Sequence, residues 1–171
     1  MKTKGLKFIV FTILICGLLI TKTNAQPFNI GGGIVLGTDR PNLGLKVNGT
    51  YGMDFLLENL TGSAAFTIFI PSSPGITTFN RWALDIDGHY KFYETSGFNF
   101  YAIAGINLAS YSTKTTAFGS TTKVSAFKPG LNIGVGAIYD WKDNIKAFGE
   151  FKYIASNLNQ AEITIGVLFE L

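Results

Sequence analysis

The side chains best suited to chemistry lie at alternate positions of one short stretch of the chain. This stretch carries Asp85, Asp87, His89 and Lys91. Residues two apart on a β-strand point to the same side, so a strand here places carboxylates next to an imidazole. Such a pair can transfer protons, and with further ligands it can bind a metal ion.

The number of available ligands argues against a metal site. His89 is the only histidine, and the only cysteine, Cys16, lies in the N-terminal apolar run. One histidine with two nearby carboxylates falls short of the usual set of metal ligands. The glycines predict no phosphate cradle, because no helix is expected after any of them. We therefore predict neither a metal nor a cofactor.

The N-terminus has the features of a secretory signal peptide. Three lysines precede an apolar run over 8–20, and a small-residue cleavage pattern ends at Ala25. This run is shorter than the roughly 20 residues that a membrane-spanning helix needs. We predict export through the Sec pathway and cleavage after Ala25, which makes 1–25 the signal peptide and 26–171 the mature domain.

Cleavage also changes the charge of the protein. The precursor has a net charge of +3, but four of its 14 Lys and Arg residues leave with the signal, while all 11 Asp and Glu residues remain. The mature chain is therefore close to neutral, and we predict no nucleic-acid partner. Its length suits one domain.

Alternation of period two recurs along the mature chain and predicts β-strands with two different faces. Eight strands are expected, at 28–37, 43–53, 61–70, 81–93, 98–111, 124–141, 145–154 and 162–171. Turns are predicted at 54–60, 94–97 and 142–144, and mostly longer loops at 38–42, 71–80, 112–123 and 155–161. Turns at one end and longer loops at the other are typical of outer-membrane barrels.

The composition of the two faces predicts which of them lies inside. A soluble barrel has its apolar face inside, whereas a membrane barrel turns that face toward lipid. Here the polar face is rich in glycine, which suits a narrow lumen. Trp82 and Phe92 on the other face are separated by roughly 25 Å along the membrane normal, at about 3.3 Å per residue and a typical tilt. The predicted aromatic girdle comprises Trp82, Tyr90, Phe92, Tyr139 and Trp141.

Charged residues on the inward face predict a salt-bridged lumen, because buried charges are unfavourable unless they are paired. The predicted network contains Lys46, Asp85, Asp87, His89, Lys91, Lys128, Glu150 and Lys152. Glu150 is expected to pair with Lys128 or Lys152, and Asp87 with a neighbouring lysine. An eight-stranded barrel is filled by such side chains, so we expect no diffusion of solutes larger than ions.

Several strands resemble those of small bacterial outer-membrane barrels of the OmpA-transmembrane-domain and OmpX type. The sequences FYAIAGIN at 100–107, LNIGVGAIY at 131–139 and FGEFKY at 148–153 are similar to recurrent strands of that family. The chain ends on a pattern like the family's assembly signal, formed by Thr164, Gly166, Phe169 and Leu171. The resemblance implies an eight-stranded up-and-down barrel in the outer membrane. It also implies contact with outer-membrane lipid and, during biogenesis, with periplasmic chaperones and the barrel-assembly machinery.

Three functions are compared on this basis. The first is a non-enzymatic outer-membrane barrel with a structural or surface-interaction role, whose loops at 71–80 and 112–123 contact other molecules. The second is an exported soluble barrel that binds an apolar ligand inside. The third is an outer-membrane enzyme that modifies lipid through His89, although alternation directs this side chain into the lumen rather than toward lipid. We favour the first function and predict no catalytic residue.

Overall fold

The computed structural model describes residues 28–157 and 159–171, which form eight β-strands. The strands are β1 Phe28–Gly37, β2 Leu43–Gly52, β3 Leu60–Phe69, β4 Thr77–Thr95, β5 Phe98–Ala117, β6 Ser120–Lys142, β7 Ile145–Ser156 and β8 Gln160–Glu170. The predicted signal peptide, 1–25, lies outside the described residues. Among the described residues, no helix is long and apolar enough to cross a membrane.

The strands form a closed antiparallel barrel in which each pairs with its neighbours in chain order. The first and last strands close the barrel, with Gly33 opposite Gly166 and Asn29 opposite Glu170. The predicted eight-stranded up-and-down barrel is therefore confirmed. Closure leaves no free sheet edge within the barrel wall.

The wall has a polar interior and an apolar exterior. In β2, Lys46 and Asn48 are buried, whereas Leu45 and Val47 on the same strand are each 61% exposed. The same alternation gives exposed Ile, Leu and Val side chains on most other strands. This is the arrangement of a barrel that faces lipid, and it is the reverse of a barrel with an apolar ligand cavity.

The two ends of the barrel differ. One end, here called the turn end, holds the start of β1, the end of β8 and the connections after β2, β4 and β6. The connection after β4 is a two-residue turn in which Ser96 and Gly97 both have positive φ, as a tight hairpin requires. The opposite end, here called the loop end, holds the other four connections.

The largest departure from the predicted strands lies at the loop end. The segment 112–123, expected to be a loop, instead extends β5 and β6 into a long hairpin that turns at Phe118 and Gly119. Both turn residues have positive φ, and Phe118 is fully exposed. β4 also begins at Thr77, inside the predicted loop 71–80. These strands therefore continue beyond the part of the wall that has an apolar exterior, into a region where both faces of the sheet meet solvent.

Candidate functional site

The polar lumen contains three layers of side chains, stacked from the turn end to the loop end. The middle layer is centred on Lys152 of β7, which is 1% exposed. Its Nζ lies 3.1 Å from Asp85 Oδ2 and 3.1 Å from Asp87 Oδ2. Asn132 donates to both carboxylates, at 2.9 Å and 2.7 Å, and Asn107 donates to Asp85 at 2.7 Å. One ammonium group thus joins two buried carboxylates whose other oxygens are also hydrogen-bonded.

The layer nearest the turn end is built around Glu150. Its Oε2 lies 3.2 Å from Lys46 Nζ, and its Oε1 accepts a hydrogen bond of 3.2 Å from the Tyr101 hydroxyl. Lys46 also donates to Thr164 at 3.0 Å. The His89 ring stacks on Tyr101 with 4.7 Å between ring centroids, and its Nε2 lies 4.0 Å from Glu150. This layer therefore ties several strands together across the lumen.

The layer nearest the loop end is organised by Arg81, which was not included in the predicted network. Its guanidinium donates to Glu162 at 2.6 Å and to Gln160 at 2.6 Å. It lies 4.0 Å from the centroid of the Phe69 ring and 5.2 Å from that of Tyr111. The signal that could have identified Arg81 was its place in the same alternation as Asp85 and Asp87.

Some predicted partners differ in the structure. Glu150 pairs with Lys46, on the far side of the lumen, rather than with Lys128 or Lys152. Lys128 lies nearer the loop end, with its Nζ 5.1 Å from the centroid of the Tyr111 ring. Lys91 is only partly buried at the turn end and pairs with the exposed Glu94 at 2.6 Å.

A polar cavity of about 240 Å³ occupies the turn end of the lumen and reaches inward to Glu150 and His89. It opens among rim residues such as Asp140 and Lys146. Glu150 and His89 face this cavity and therefore lie on the opposite side of the wall from the exterior apolar surface. Among residues 28–157 and 159–171, no group of three or more His, Cys, Asp or Glu side chains is placed to hold a metal ion.

The five aromatic residues of the predicted girdle all lie on the exterior. Their exposed fractions are 41% for Trp82 and Tyr139, 43% for Tyr90, 57% for Phe92 and 63% for Trp141. Trp82 lies toward the loop end, and the other four lie toward the turn end. Register shifts near Phe92 and Trp141 interrupt the strand ladders at these two positions. Tyrosine and tryptophan side chains at these two levels along the barrel axis, one near each end, are suited to the two interfaces between a membrane and water.

Three residues of the C-terminal pattern lie on β8, the strand that pairs with β1 to close the barrel, and Leu171 directly follows this strand. Thr164 is buried in the lumen, and Phe169 and the terminal Leu171 are exposed. Gly166 faces inward beneath the ring of Phe148, which would lie 2.6 Å from a Cβ placed there, while the carbonyl oxygen of Gly32 would lie 2.3 Å away. A glycine at this position therefore leaves room for the Phe148 ring and for the backbone of β1.

Replacing Gly166 with Val should prevent β1 and β8 from closing. The added Cβ would overlap the backbone of β1, which cannot move away as a flexible side chain can. We expect most of the variant protein to remain in the unfolded position on an unboiled gel. Gly149→Val is the control, because a Cβ at Gly149 would approach no atom closer than 4.0 Å. Equal folding of the two variants would contradict the packing argument.

The extended hairpin has a free edge. β6 pairs with β7 only from Gly130 onward. In the part of the chain that the structure describes, no strand pairs with Ser120–Pro129 on the side away from β5. The residues of this segment are almost all exposed. Unpaired backbone groups along such an edge can bind another extended chain.

Solved structures share this fold. A major outer membrane protein from Thermus thermophilus matches with a TM-score of 0.68 at 11% identity, over 86% of this chain and 100% of that chain. The N-terminal β-barrel domain of Pseudomonas aeruginosa OprF matches with a TM-score of 0.59 at 16% identity, over 85% and 97%. Ail, the attachment invasion locus protein of Yersinia pestis, matches with a TM-score of 0.56 at 13% identity, also over 85% and 97%, and was also solved in complex with the heparin analogue sucrose octasulfate.

These matches confirm, at the level of fold, the resemblance to small outer-membrane barrels that the strand motifs predicted. Comparison of the sequence with protein-family models and with curated proteins found no match. The chain therefore has the fold of an eight-stranded outer-membrane barrel.

Proposed function

We propose that the protein is a non-enzymatic outer-membrane barrel that contacts other molecules at the cell surface through its β5–β6 hairpin. The apolar exterior with aromatic residues at two levels supports insertion in a bilayer. The turn end then faces the periplasm and the loop end faces the outside, as in other outer-membrane barrels. This placement agrees with export directed by the predicted signal peptide.

The free edge of the hairpin is the observation that carries this proposal. Trp82, at the outer aromatic level, lies opposite Ser110 of β5, and the hairpin continues from Ser110 for eight more residues to Phe118. At about 3.3 Å per residue and a typical tilt, its tip is roughly 20 Å above that level. Ser110 in turn lies opposite Phe127 of β6, so the part of the edge from Ser120 to Ala126 is exposed outside the membrane, where a partner can add a strand to it.

The lumen supports a structural role for the barrel wall rather than catalysis. Lys152, Glu150 and Arg81 each join different strands through buried ion pairs. His89 belongs to this network and lies across the wall from lipid, which does not suit a lipid-modifying enzyme. The ion-paired layers close the lumen between the turn-end cavity and the loop end, which leaves the exterior surfaces at the loop end as the places where extracellular partners bind.

Surface labelling tests the orientation and the exposure of the hairpin. In a Cys16→Ser background, Ser120→Cys should react with a membrane-impermeant maleimide on intact cells. Asp143→Cys, on a turn at the opposite end, should react only after the outer membrane is opened. Reaction of both variants on intact cells, or of neither, would contradict the proposed orientation.

A second candidate partner is a polyanion, and it is favoured by two lysines on the hairpin. Lys114 and Lys123 lie directly opposite each other on adjacent strands, and like charges in this position repel. They lie at one end of a groove of about 680 Å³, whose lining also includes Ser112, Ser125 and Asn80 and the apolar side chains of Phe66, Ile68 and Trp82. A sulfated or phosphorylated ligand would relieve the repulsion, and the Ail structure with a heparin analogue offers a precedent in the same fold.

Cells carrying the protein should therefore adhere to immobilised heparin. Adhesion is expected to fall several-fold in the Lys114→Glu/Lys123→Glu double variant, because two attractive contacts become repulsive. Lys142→Glu, at the turn end, serves as a control with the same type of charge change. Equal adhesion of the double variant and the wild type would exclude the lysine pair as a polyanion site and leave the free edge as the candidate.

A further inference from the structure

We infer that the turn between β2 and β3 is a membrane anchor, which inserts Phe55, Leu56 and Leu57 into the periplasmic leaflet of the outer membrane. This inference rests on the proposed orientation of the barrel, and it adds a lipid contact beyond the strands. The other two turns at this end carry polar residues at their tips, at Ser96 and at Asp143-Asn144. The β2–β3 turn is therefore different in chemistry as well as in length.

The apolar residues of this turn are held in place while remaining exposed. Met53 accepts backbone hydrogen bonds from Leu56 at 2.8 Å and from Leu57 at 3.3 Å, so the segment is a compact folded turn. Phe55, Leu56 and Leu57 are nevertheless 67%, 63% and 53% exposed. Three consecutive large apolar side chains on a hydrogen-bonded turn form a patch that marks a contact with another apolar surface.

The polar residues of the same turn show which way it faces. Asp54 and Asn59 line the polar cavity at the turn end of the lumen. The carboxylate of Asp54 also accepts a hydrogen bond of 3.0 Å from the backbone N–H of Asn59. These contacts direct one side of the turn toward the mouth of the lumen, which leaves the other side for the apolar residues.

The apolar side continues the exterior surface of the barrel. Tyr51, just before the turn, is 40% exposed on the exterior, and it lies opposite Gly62. The side chain of Met53 covers that same Gly62, since a Cβ there would lie 2.6 Å from Met53 Sδ. Leu60, just after the turn, lies opposite Tyr90 of the aromatic girdle. The patch is therefore continuous with the surface that faces lipid.

This continuity identifies lipid as the occupant, rather than a periplasmic protein or a second copy of the chain. Apolar side chains beside an interfacial tyrosine lie at the boundary between headgroups and acyl chains. The carboxylates of Asp54 and Glu58 flank the patch and remain in water or among the headgroups. Such a turn fixes the depth of the β2–β3 corner in the membrane.

Fluorescence quenching tests this inference with the barrel folded in vesicles of phosphatidylethanolamine and phosphatidylglycerol. An NBD fluorophore is attached to Leu56→Cys in the Cys16→Ser background, and to Asp143→Cys as the matched control on another turn. Doxyl-labelled phosphatidylcholine in the vesicles reports contact with lipid, and aqueous iodide reports contact with water. We expect doxyl lipid to quench the fluorophore at 56 strongly and iodide to quench it several-fold less than at 143.

Equal quenching by iodide at 56 and 143, in samples that migrate as folded barrels, would place the turn in water and overturn the inference. Protection from iodide without quenching by doxyl lipid would indicate contact between protein copies and would also overturn it. Both results would leave the membrane barrel itself intact. A chain that does not insert in the vesicles at all would instead refute the proposed function, and the anchor with it.

Discussion

Replacing Lys152 with Met should lower the free energy of unfolding by about 3–5 kcal/mol, the range observed when one partner of a buried ion pair is removed. The side chain is 1% exposed and lies 3.1 Å from both Asp85 and Asp87. Without the ammonium group, two carboxylates remain close together inside the barrel, and the hydrogen bonds from Asn132 and Asn107 do not neutralise their charge. Urea unfolding in detergent micelles, followed by the shift between folded and unfolded gel positions, measures the loss.

Two further variants separate the ion pair from the loss of side-chain volume. Asp85→Asn/Asp87→Asn/Lys152→Met removes all three charges and should recover most of the stability, because the penalty comes from unpaired charge. Lys146→Met breaks the partly exposed pair with Glu170 at 2.7 Å and should cost about 1 kcal/mol or less. A Lys152→Met variant as stable as Lys146→Met would contradict the role given to the middle layer.

Replacing Ile133 with Arg should destabilise the inserted barrel by about 2–4 kcal/mol, the cost of a basic residue near the midplane on the lipid face of a barrel. Ile133 is 64% exposed and lies midway along β6 between Phe127 and Tyr139. In a water-soluble barrel the same change at an exposed site would have little effect on stability. The measurement is reversible unfolding in phospholipid vesicles.

Thr121→Arg is the matched control, since Thr121 lies on the same strand but in the hairpin outside the proposed membrane. It should change stability by less than about 0.5 kcal/mol, as expected for a surface substitution. Similar small effects at 121 and 133 would indicate that the exterior of the barrel meets water.

The sequence allowed the barrel and the orientation of its faces to be predicted because each membrane-spanning strand separates two environments. Lys46 and Leu45 differ in polarity for a physical reason, and alternation reports that difference directly. The predicted ends of β1 agree with the structure, and those of β2 and β3 agree to within a residue.

The hairpin was not predicted because the same signal fails outside the membrane. From Ser112 to Ser125 both faces of the strands meet solvent, so polar residues appear on both faces and resemble a loop. The β-branched Thr residues in this segment, among them Thr113 and Thr122, favour extended structure. Their strand propensity was the available evidence for the hairpin.

The pairings inside the lumen depend on information that a single strand does not contain. Glu150 and Lys46 lie on β7 and β2, which are not neighbours, and their contact follows from the closure and stagger of the whole barrel. Alternation can assign each side chain to the lumen but not to a layer within it. The alternation pattern therefore cannot distinguish Lys128 from Lys46, although of these two lysines it is Lys46 that reaches Glu150.

The most direct test of the central claim is to fractionate cells that express the chain and to run the detergent-extracted protein on gels with and without boiling. We predict recovery in the outer-membrane fraction and faster migration of the unboiled sample, because the closed barrel remains folded in detergent until heated. Recovery as a soluble periplasmic protein, with one gel position before and after boiling, would contradict a membrane-spanning barrel.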